Sequence, residues 1–534
     1  MLCKLVARLL LGVLVSAAAV AAAEDKADTR NVILMIADGA GFNTFHAASM
    51  YQGKWDAANG RGTQPFNGPE WKQLAAQTFP LTTAPKPRGT NEQDPAVVYD
   101  PAKAWDAASG YEWLAANYTD SAASATSFST GKKTYNSAIN WSDLDQPIEP
   151  TISELAKSLG RGAGVVTSVE WSHATPAALG NAHAADRDQY QEIARQMLHG
   201  GVLDVIMGAG NPDFNNDGEP WRVKTRRADR QEAPGASPGS EKPAETTSPV
   251  VDNRQYKYVG GKEVWQAIET ARKTPGGLYH GYRPVSTKAE FESLASGQAP
   301  PKVLGTAQVA TTLQHARTKK RAAHPDEDTP LNQGVPTLAT MARGALNVLS
   351  QNPNGFFLLI EGGAVDWANH DNLACRMIQE QIDFNHAVEA VIQWVEANST
   401  WDETLVVVTA DHETGLLWGP DSDKTPFQPL VDNGPGAMPG LMYHSKKHTN
   451  SLVPVFARGV GAELLDTLIV GTDPVRGPYV DVTGIATTLQ AALGAPGGAA
   501  APPADQAAPP TAGRAAPPRP AAAPLPASTA GSRP

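Results

Sequence analysis

The chain has 534 residues, of which 41% are hydrophobic and 19% are charged, and its formal net charge is −11. This length is sufficient for a large core in one or several domains, and the acidic balance argues against non-specific binding to nucleic acids. The negative net charge does not exclude an anionic substrate, because bound metal ions can reverse the electrostatic field at a site.

The first 23 residues have the composition of a secretory signal peptide. Lys4 and Arg8 precede an apolar stretch that ends in Ala21-Ala22-Ala23, and this pattern predicts cleavage after Ala23. An uncleaved membrane anchor is the alternative, since the apolar stretch approaches the roughly 20 residues that span a bilayer. Cleavage would remove two cationic side chains and leave an exported protein, periplasmic or secreted, without a stable membrane span.

Four apolar runs have the length and continuity of buried parallel strands. They cover residues 31–38, 164–171, 355–361 and 404–411, and helical patterns lie between them at 151–159, 188–198 and 383–397. The alternation predicts an α/β fold, a doubly wound and mostly parallel central sheet with helices on both faces. Ligands bind beyond the carboxyl ends of such strands. We therefore expect one rim of the sheet to carry Asp38, His173, Glu361 and Asp411.

The octet TDSAASAT, residues 119–126, places Ser121 at a predicted helix start. Thr119 or Asp120 is a suitable N-cap and Gly131 a suitable stop, so the helix is expected to be short. Its exposed N–H groups and its dipole favour an anion, either a developing serine alkoxide or a bound phosphate. Helix starts rich in Ser and Thr are also common as simple caps, so the octet alone leaves both interpretations open.

The pattern weakens in two other parts of the chain. Residues 211–334 are predicted to form a loop-rich insertion near the rim, with a helix near 261–272, and residues 230–250 are predicted to be a flexible surface loop. Residues 495–534 are rich in Pro and Ala, and this composition predicts a disordered tail. A catalytic domain would then cover residues 24–494. Cys375 would be its single cysteine after signal cleavage, and it is interpreted as a buried structural thiol.

Two short pairs have the residue types of metal ligands. Asp366 and His370 are four residues apart and would share one face of a helix, while Asp411 and His412 directly follow a predicted strand. Carboxylate and imidazole together suit zinc. On its own, a nearby Asp and His more often form a surface ion pair or a satisfied hydrogen bond than a metal site.

Further motifs accompany these pairs and the octet: Asp38 before Gly39-Ala40-Gly41, His173-Ala174-Thr175-Pro176, Glu361 before Asp366, and His448-Thr449. In this combination the sequence resembles the alkaline phosphatases, from about residue 31 to residue 494 apart from the stretch 211–334. The octet is the motif most specific to that family.

The resemblance implies a secreted bacterial enzyme that hydrolyses phosphate monoesters at alkaline pH and that could form a homodimer. Ser121 would be the nucleophile that becomes a phosphoserine, and Arg187 would clamp the phosphate with two guanidinium N–H groups. It also implies the ligands of two zinc ions and one magnesium ion. One zinc would be bound by Asp366, His370 and His448, the other by Asp38, Asp411 and His412, and the magnesium by Asp38, Thr175 and Glu361.

Two positions depart from the best-known bacterial pattern of that family. His173 stands where that pattern has Asp, and it would act on the magnesium only through a bridging water or through a hydrogen bond to a ligand of that ion. Trp367 stands where that pattern has Lys, which removes a cation near the phosphate. His444 lies close to His448 in sequence, but the family motif favours His448 as the ligand. The remaining candidates, His46, His183, His199 and His386, are interpreted as surface or packing residues.

Two other functions compete with a phosphomonoesterase. A related metalloenzyme could act on phosphodiesters or sulfate esters, but a diester lacks one of the oxygens that Arg187 and a third metal would bind. The cysteine motif of sulfatases is also absent around Cys375. A catalytically silent protein that binds phosphate or zinc is the second alternative, and the intact Ser121 argues against it.

Overall fold

An eleven-stranded sheet forms the centre of the computed structural model, which describes residues 30–221, 253–317, 324 and 328–494. All of these residues belong to one structural unit, Met1–Gly498. In chain order the strands are β1 (Arg30–Ile36), β2 (Lys72–Gln77), β3 (Gly162–Glu170), β4 (Val205–Ala209), β5 (Arg283–Val285), β6 (Val303–Thr306), β7 (Gly355–Glu361), β8 (Thr404–Thr409), β9 (Val453–Gly459), β10 (Ile469–Asp473) and β11 (Gly477–Asp481).

The order across the sheet is β10-β11-β2-β9-β8-β1-β7-β3-β4-β6-β5. The strands from β8 to β5 are all parallel, whereas β9 is antiparallel to both of its neighbours and β10 is antiparallel to β11. Three short two-stranded pairs lie outside this sheet: Trp55–Asp56 with Arg61–Gly62, Glu413–Thr414 with His448–Thr449, and Leu417–Trp418 with Met442–Tyr443.

The central strands β3, β7 and β8 are buried along their whole length, because helices cover both faces of the sheet. The α-helices of the described residues are α1 (Phe42–Tyr51), α2 (Pro101–Ala104), α3 (Gly110–Leu114), α4 (Ser121–Thr130), α5 (Ile152–Ser158), α6 (Ala174–Leu179), α7 (Tyr190–His199), α8 (Lys262–Lys273), α9 (Lys288–Ser296), α10 (Leu338–Leu349), α11 (Ala364–His370), α12 (Ala374–Asn398), α13 (Leu464–Thr467) and α14 (Val482–Ala492). In one layer α9, α10, α12 and α1 pack in series, and in the other α14, α4 and α6 do so.

The predicted fold class is confirmed. The four apolar runs are β1, β3, β7 and β8, which lie side by side at the centre of the sheet, and the three helical patterns correspond to α5, α7 and the larger part of α12. None of the helices within the described ranges combines the length and the apolar character that a bilayer span requires.

The segment 211–334 contains more regular structure than its weak pattern predicts. The expected helix is α8, but α9 is also present, and β5 and β6 extend the main sheet at its edge. Both strands are short, and only one side of β5 is paired, so neither produces a long apolar run in the sequence. The predicted signal peptide, the predicted surface loop 230–250 and the predicted tail lie outside the described residues.

Candidate metal centre and nucleophile

The carboxyl ends of neighbouring central strands bring buried carboxylates to one rim of the sheet. Asp38 comes shortly after β1, Glu361 is the last residue of β7, and Asp411 comes shortly after β8. The turn after Asp38 passes close to α11. At Gly39, whose φ is +72°, a Cβ atom would lie 2.7 Å from the Cα atom of Asp366, so a glycine is needed for this approach.

The first group of candidate ligands consists of Asp38, Asp411 and His412, whose ligand atoms lie within 4.8 Å of one another. Nε2 of His412 is 3.2 Å from Oδ2 of Asp411 and 3.6 Å from Oδ1 of Asp38. Burial raises the pKa of Asp411 to about 8, and burial together with the neighbouring carboxylates raises the pKa of Asp38. Negative charges confined away from water repel each other, and a bound cation would relieve that repulsion.

The second group consists of Asp366 and His370 on α11 together with His448, again with all ligand atoms within 4.8 Å. The carboxylate of Asp366 is 3.3 Å from Nε2 of His370 and 3.5 Å from Nε2 of His448. Burial alone would raise the pKa of Asp366, but the hydrogen bond with His370 and the nearby imidazoles lower it. The rings of His412 and His448 stack with their centroids 3.6 Å apart, so the two groups are adjacent.

Each of the three candidate histidine ligands has Nδ1 beside a hydrogen-bond acceptor and Nε2 facing a carboxylate. The Nδ1 partners are the Lys446 carbonyl for His370 (2.6 Å), the Thr119 carbonyl for His448 (2.9 Å) and Thr414 Oγ1 for His412 (3.3 Å). A carbonyl can only accept, so in the neutral ring Nδ1 carries the hydrogen and Nε2 keeps its lone pair. Once Nε2 has given up its hydrogen, which in His370 otherwise forms the hydrogen bond to Asp366, its lone pair and a carboxylate oxygen face each other, and a metal ion between them stabilises this arrangement.

Thr414 links the two groups, and the sequence analysis did not identify it. Its hydroxyl donates to Oδ1 of Asp366 at 2.6 Å, and its oxygen is therefore the acceptor for Nδ1 of His412. The strand pair Glu413–Thr414 with His448–Thr449 sets Thr414 directly opposite His448. A threonine two residues after His412 is the available sequence signal, but its partner on α11 is visible only in the fold.

Ser121 is the first residue of α4, as predicted. Asp120 is the N-cap and accepts a hydrogen bond from the Ala123 N–H at 3.0 Å, and Gly131 ends the helix in the left-handed conformation with φ +71°. The Ser121 side chain is buried, and its Oγ lies 3.3 Å from Nε2 of His412. The nearby Ser124 instead donates its hydroxyl to the Asp411 carbonyl at 2.8 Å.

Arg187 lies beside the same helix start. Its Nη1 donates to Oδ2 of Asp120 at 2.9 Å, so the residue that caps α4 also orients the guanidinium. Arg187 and Ser121 line one cavity of about 380 Å³, together with His370 and His448. A ligand in this cavity would therefore contact a serine hydroxyl, a guanidinium and the second candidate ligand group, Asp366, His370 and His448.

The oxygen atoms of Asp38, Thr175 and Glu361 form the third predicted set. Oδ1 of Asp38, Oγ1 of Thr175 and Oε1 of Glu361 are buried and have no hydrogen-bond partner among the described residues. The other Glu361 oxygen accepts from the Thr167 hydroxyl at 2.5 Å, and burial raises the pKa of Glu361 to about 7. A set that offers only oxygen suits a hard cation such as magnesium, whereas the sets that include imidazole suit zinc.

His173 and Trp367, the two residues that differ from the best-known bacterial pattern, lie near the candidate metal ligands. His173 is the N-cap residue of α6, and its ring centroid is 5.9 Å from that of Trp367. Burial, and secondarily the charge of Arg187, lowers the pKa of His173 to about 3, so the imidazole is neutral near pH 7. Both side chains line the cavity above Ser121.

Cys375 and the other histidines considered in the sequence analysis belong to neither of the two ligand groups. Nε2 of His444 is 2.7 Å from the Ser422 hydroxyl, and it is His448 that joins the second group. His46 packs edge-on against Trp55, while His386 is exposed on α12. Cys375 is buried, as predicted.

Comparison with known proteins identifies the relatives of this sequence. The model of the family described as alkaline phosphatase matches residues 29–428. The alkaline phosphatase of Escherichia coli K12 is 30% identical over 404 residues, which cover 70% of this chain and 74% of that protein. Alkaline phosphatase H of Pseudomonas aeruginosa is 30% identical over 383 residues, which cover 66% of this chain and 71% of that protein.

Solved structures show the same fold. The structure of a cold-active alkaline phosphatase from a Shewanella species has a TM-score of 0.54 and 23% identity, with 87% of this chain and 99% of that chain covered. The alkaline phosphatase of Thermus thermophilus has a TM-score of 0.55 and 20% identity, with 87% and 91% covered. A histidine-to-aspartate variant of the enzyme from the Antarctic bacterium TAB5, with magnesium in a site called M3, has a TM-score of 0.53 and 22% identity, with 88% and 99% covered.

Proposed function

The chain belongs to the alkaline phosphatase family, and from this premise we propose that it hydrolyses phosphate monoesters to an alcohol and inorganic phosphate. The observation that carries the proposal is the position of the Ser121 hydroxyl, 3.3 Å from Nε2 of His412 and in one cavity with Arg187. A nucleophile, an anion-binding cation and two groups of metal ligands therefore meet at one point.

In the proposed reaction Oγ of Ser121 attacks the phosphorus atom of the ester. The bond from phosphorus to the alcohol oxygen breaks, the alcohol leaves, and a phosphoserine remains. A water molecule then attacks the phosphorus, the bond to Oγ breaks, and phosphate is released. Arg187, held by Asp120, binds the non-bridging oxygens in both steps, and the N–H groups at the start of α4 favour the negative charge on Ser121.

We assign a zinc ion to Asp366, His370 and His448, a second zinc ion to Asp38, Asp411 and His412, and a magnesium ion to Asp38, Thr175 and Glu361. The fit rests on the Nε2 atoms that face carboxylates and on the buried unpaired oxygens. When bound, such ions would act as Lewis acids that stabilise the attacking and leaving oxygens. His173 is neutral and would contact the magnesium through water, which makes the affinity of that site lower than with a carboxylate.

The same proposal includes an alkaline pH optimum, export after cleavage of the signal peptide and a possible homodimer. Non-specific binding to nucleic acids is not expected from the net charge of −11. These points follow from the family and the composition, and each has a direct test: a pH profile, mass spectrometry of the exported chain, and light scattering.

A hydrolysis panel tests the activity. Metal-depleted and metal-restored protein are assayed with p-nitrophenyl phosphate, its bis ester and p-nitrophenyl sulfate, and Ser121→Ala is the matched control. We expect the monoester to be hydrolysed fastest, activity to depend on metal, and the variant to be inactive. Preference for the diester or the sulfate, or full activity after thorough chelation, would contradict the proposal.

The intermediate has its own test. Protein incubated with substrate is quenched in acid, and peptide mass spectrometry then locates the phosphate. We expect it on Ser121. A label on Ser124 would contradict the assignment, and it would also conflict with the hydrogen bond that ties the Ser124 hydroxyl to the Asp411 carbonyl.

A further inference from the structure

Trp367 lies on the wall of the cavity above Ser121, and the proposed reaction does not use it. It is the fourth residue of α11, directly after Asp366 and three residues before His370. Trp367 is partly buried, and it lines the cavity together with both of these candidate ligands. An aromatic side chain is therefore placed in the wall between two residues of the second ligand group.

The cavity has a buried floor and an open mouth. Ser121 is 3% exposed, and the Asp366 side chain is 8% exposed. The side chains of His370 and Asp371, at the end of α11, are 37% and 40% exposed. On this wall, exposure therefore increases from Asp366 towards Asp371, and Trp367 follows Asp366 in that direction. The part of a substrate that reaches from Ser121 to the solvent would pass along this wall.

The position of the nucleophile indicates which part of the substrate approaches Trp367. In an in-line displacement, the attacking and the leaving oxygen lie on opposite sides of the phosphorus atom. Oγ of Ser121 lies beside His412 of the first ligand group, at 3.3 Å from Nε2, whereas the second group lines the cavity together with Trp367. We therefore expect the leaving alcohol on the side of the second group, where Trp367 is next to Asp366 in the helix.

The wall at Trp367 is aromatic and uncharged. The rings of Trp367 and His173 have centroids 5.9 Å apart and an interplanar angle of 63°, and burial keeps the His173 imidazole neutral. A lysine at position 367 would favour an anionic group, whereas an indole favours a planar aromatic one, because aromatic rings gain affinity for each other beyond the burial of apolar area. The chemistry of this wall therefore suits an aromatic alcohol.

We propose that Trp367 is a specificity-determining residue, whose indole ring contacts the leaving alcohol and favours phosphate monoesters of aromatic alcohols over those of aliphatic alcohols of the same size. This inference rests on the proposed function, since it concerns the alcohol part of the same substrate. It adds no chemical step, because the bonds that form and break are those of the proposed reaction.

Phosphonates test the inference without turnover, because a methylene group replaces the ester oxygen that would be cleaved. Benzylphosphonate and cyclohexylmethylphosphonate carry the same charge and the same number of carbon atoms, and the aliphatic ring exposes the larger apolar surface. Titration calorimetry gives the dissociation constant of each with the metal-loaded full chain. We expect the wild type to bind benzylphosphonate about 2- to 12-fold more tightly, which is the range for an aromatic pair.

Variants of Trp367 separate an aromatic contact from a packing effect. In Trp367→Leu the ratio of the two dissociation constants should fall to about one, whereas Trp367→Phe should keep the preference for the aromatic ligand. A purely structural loss would weaken both ligands alike and leave the ratio unchanged. Trp221→Leu makes the same change at an exposed tryptophan outside the cavity lining, and this matched control should keep the wild-type ratio.

Three results would overturn the inference: equal affinity of the wild type for the two phosphonates, a preference that persists in Trp367→Leu, or a preference that Trp367→Phe also abolishes. The first comparison needs no variant, so it tests the inference even if Trp367→Leu does not fold. Failure of the proposed function is distinguishable from all three. In that case the wild type would not hydrolyse p-nitrophenyl phosphate, whereas the two phosphonate affinities could still be compared.

Discussion

Replacing Thr414 with valine tests whether a single hydroxyl supports both candidate metal groups. Valine has nearly the shape of threonine, so the substitution removes the donor to Asp366 and the acceptor for His412 while it preserves packing. We expect the metal-loaded protein to lose its ions more readily. The ring of His412 would lose the partner that fixes its Nδ1 hydrogen, and the Asp366 carboxylate would lose a short hydrogen bond.

The magnitude follows from that bond. The Thr414 hydroxyl is 2.6 Å from Oδ1 of Asp366, and both residues are buried. A hydrogen bond to a charged group contributes about 1.5–3 kcal/mol, which corresponds to a change of about 10- to 100-fold in a dissociation constant. Loss of such an outer partner typically costs a metal site about the same factor. We therefore expect about 10- to 100-fold weaker metal binding in Thr414→Val.

Competition with a chromogenic zinc chelator measures this affinity directly, and elemental analysis after dialysis gives the retained metal. Thr414→Ser keeps the hydroxyl and is the matched control, which should bind metal within a few-fold of the wild type. At saturating metal the activity of Thr414→Val should recover, because Ser121 and Arg187 are unchanged. Wild-type metal affinity in the valine variant, or equal losses in both variants, would refute the reasoning.

Three further changes have distinct outcomes. Asp120→Ala removes the cap of α4 and leaves the Arg187 guanidinium without its carboxylate, so we expect the free energy of unfolding to fall by about 2–4 kcal/mol in urea titration. Asp120→Asn keeps a capping oxygen and should lose less stability. Unchanged stability in Asp120→Ala would contradict the role of Asp120 as the helix cap. Trp367→Lys places a cation near the phosphate, so it should lower the inhibition constant of inorganic phosphate several-fold in steady-state assays. An equal or higher inhibition constant would contradict the effect assigned to the missing lysine. Burial, and secondarily the charge of Arg476, lowers the pKa of His46 to about 3, against about 6.5 in the unfolded chain. Below pH 6.5 the unfolded state therefore binds the additional proton, and this residue should cost up to about 1.4 kcal/mol of stability for each pH unit between roughly 6.5 and 3. Urea unfolding of His46→Phe at pH 4.5 and 7 should show a weaker pH dependence than the wild type, and equal slopes would contradict this.

The centre of the fold was predictable because its strands are buried on both faces. Residues such as Val406, Val407 and Val408 form an unbroken apolar run, which is the pattern of a parallel strand covered by helices. The edge strand β5 has three residues, one of which is Pro284, so local sequence carries little information about it. Its place depends on pairing with β6, a contact between segments that the sequence does not mark.

The candidate ligands were predictable for a different reason. Asp, His and Glu after strand ends are chemically specific, and Asp366 with His370 also has the spacing of one helical turn. His315, whose residue also lines the cavity, has the chemistry of a ligand-binding side chain but no motif around it. Its carbonyl accepts a hydrogen bond from Arg376, which pairs with the buried Asp328, and the sequence does not mark this contact.

The tautomers of the candidate ligand histidines mark a more general limit of prediction from sequence. Nδ1 of His370 and Nδ1 of His448 are directed to the backbone carbonyls of Lys446 and Thr119, and every residue has a carbonyl, so residue type gives no signal of this role. Only for His412 is the partner a side chain, Thr414. Side-chain chemistry therefore identifies the candidate metal ligands, whereas the path of the backbone determines which ring nitrogen of a histidine offers its lone pair. Substitutions at Lys446 or Thr119 that keep the backbone in place should consequently leave metal affinity unchanged, in contrast to the loss expected for Thr414→Val.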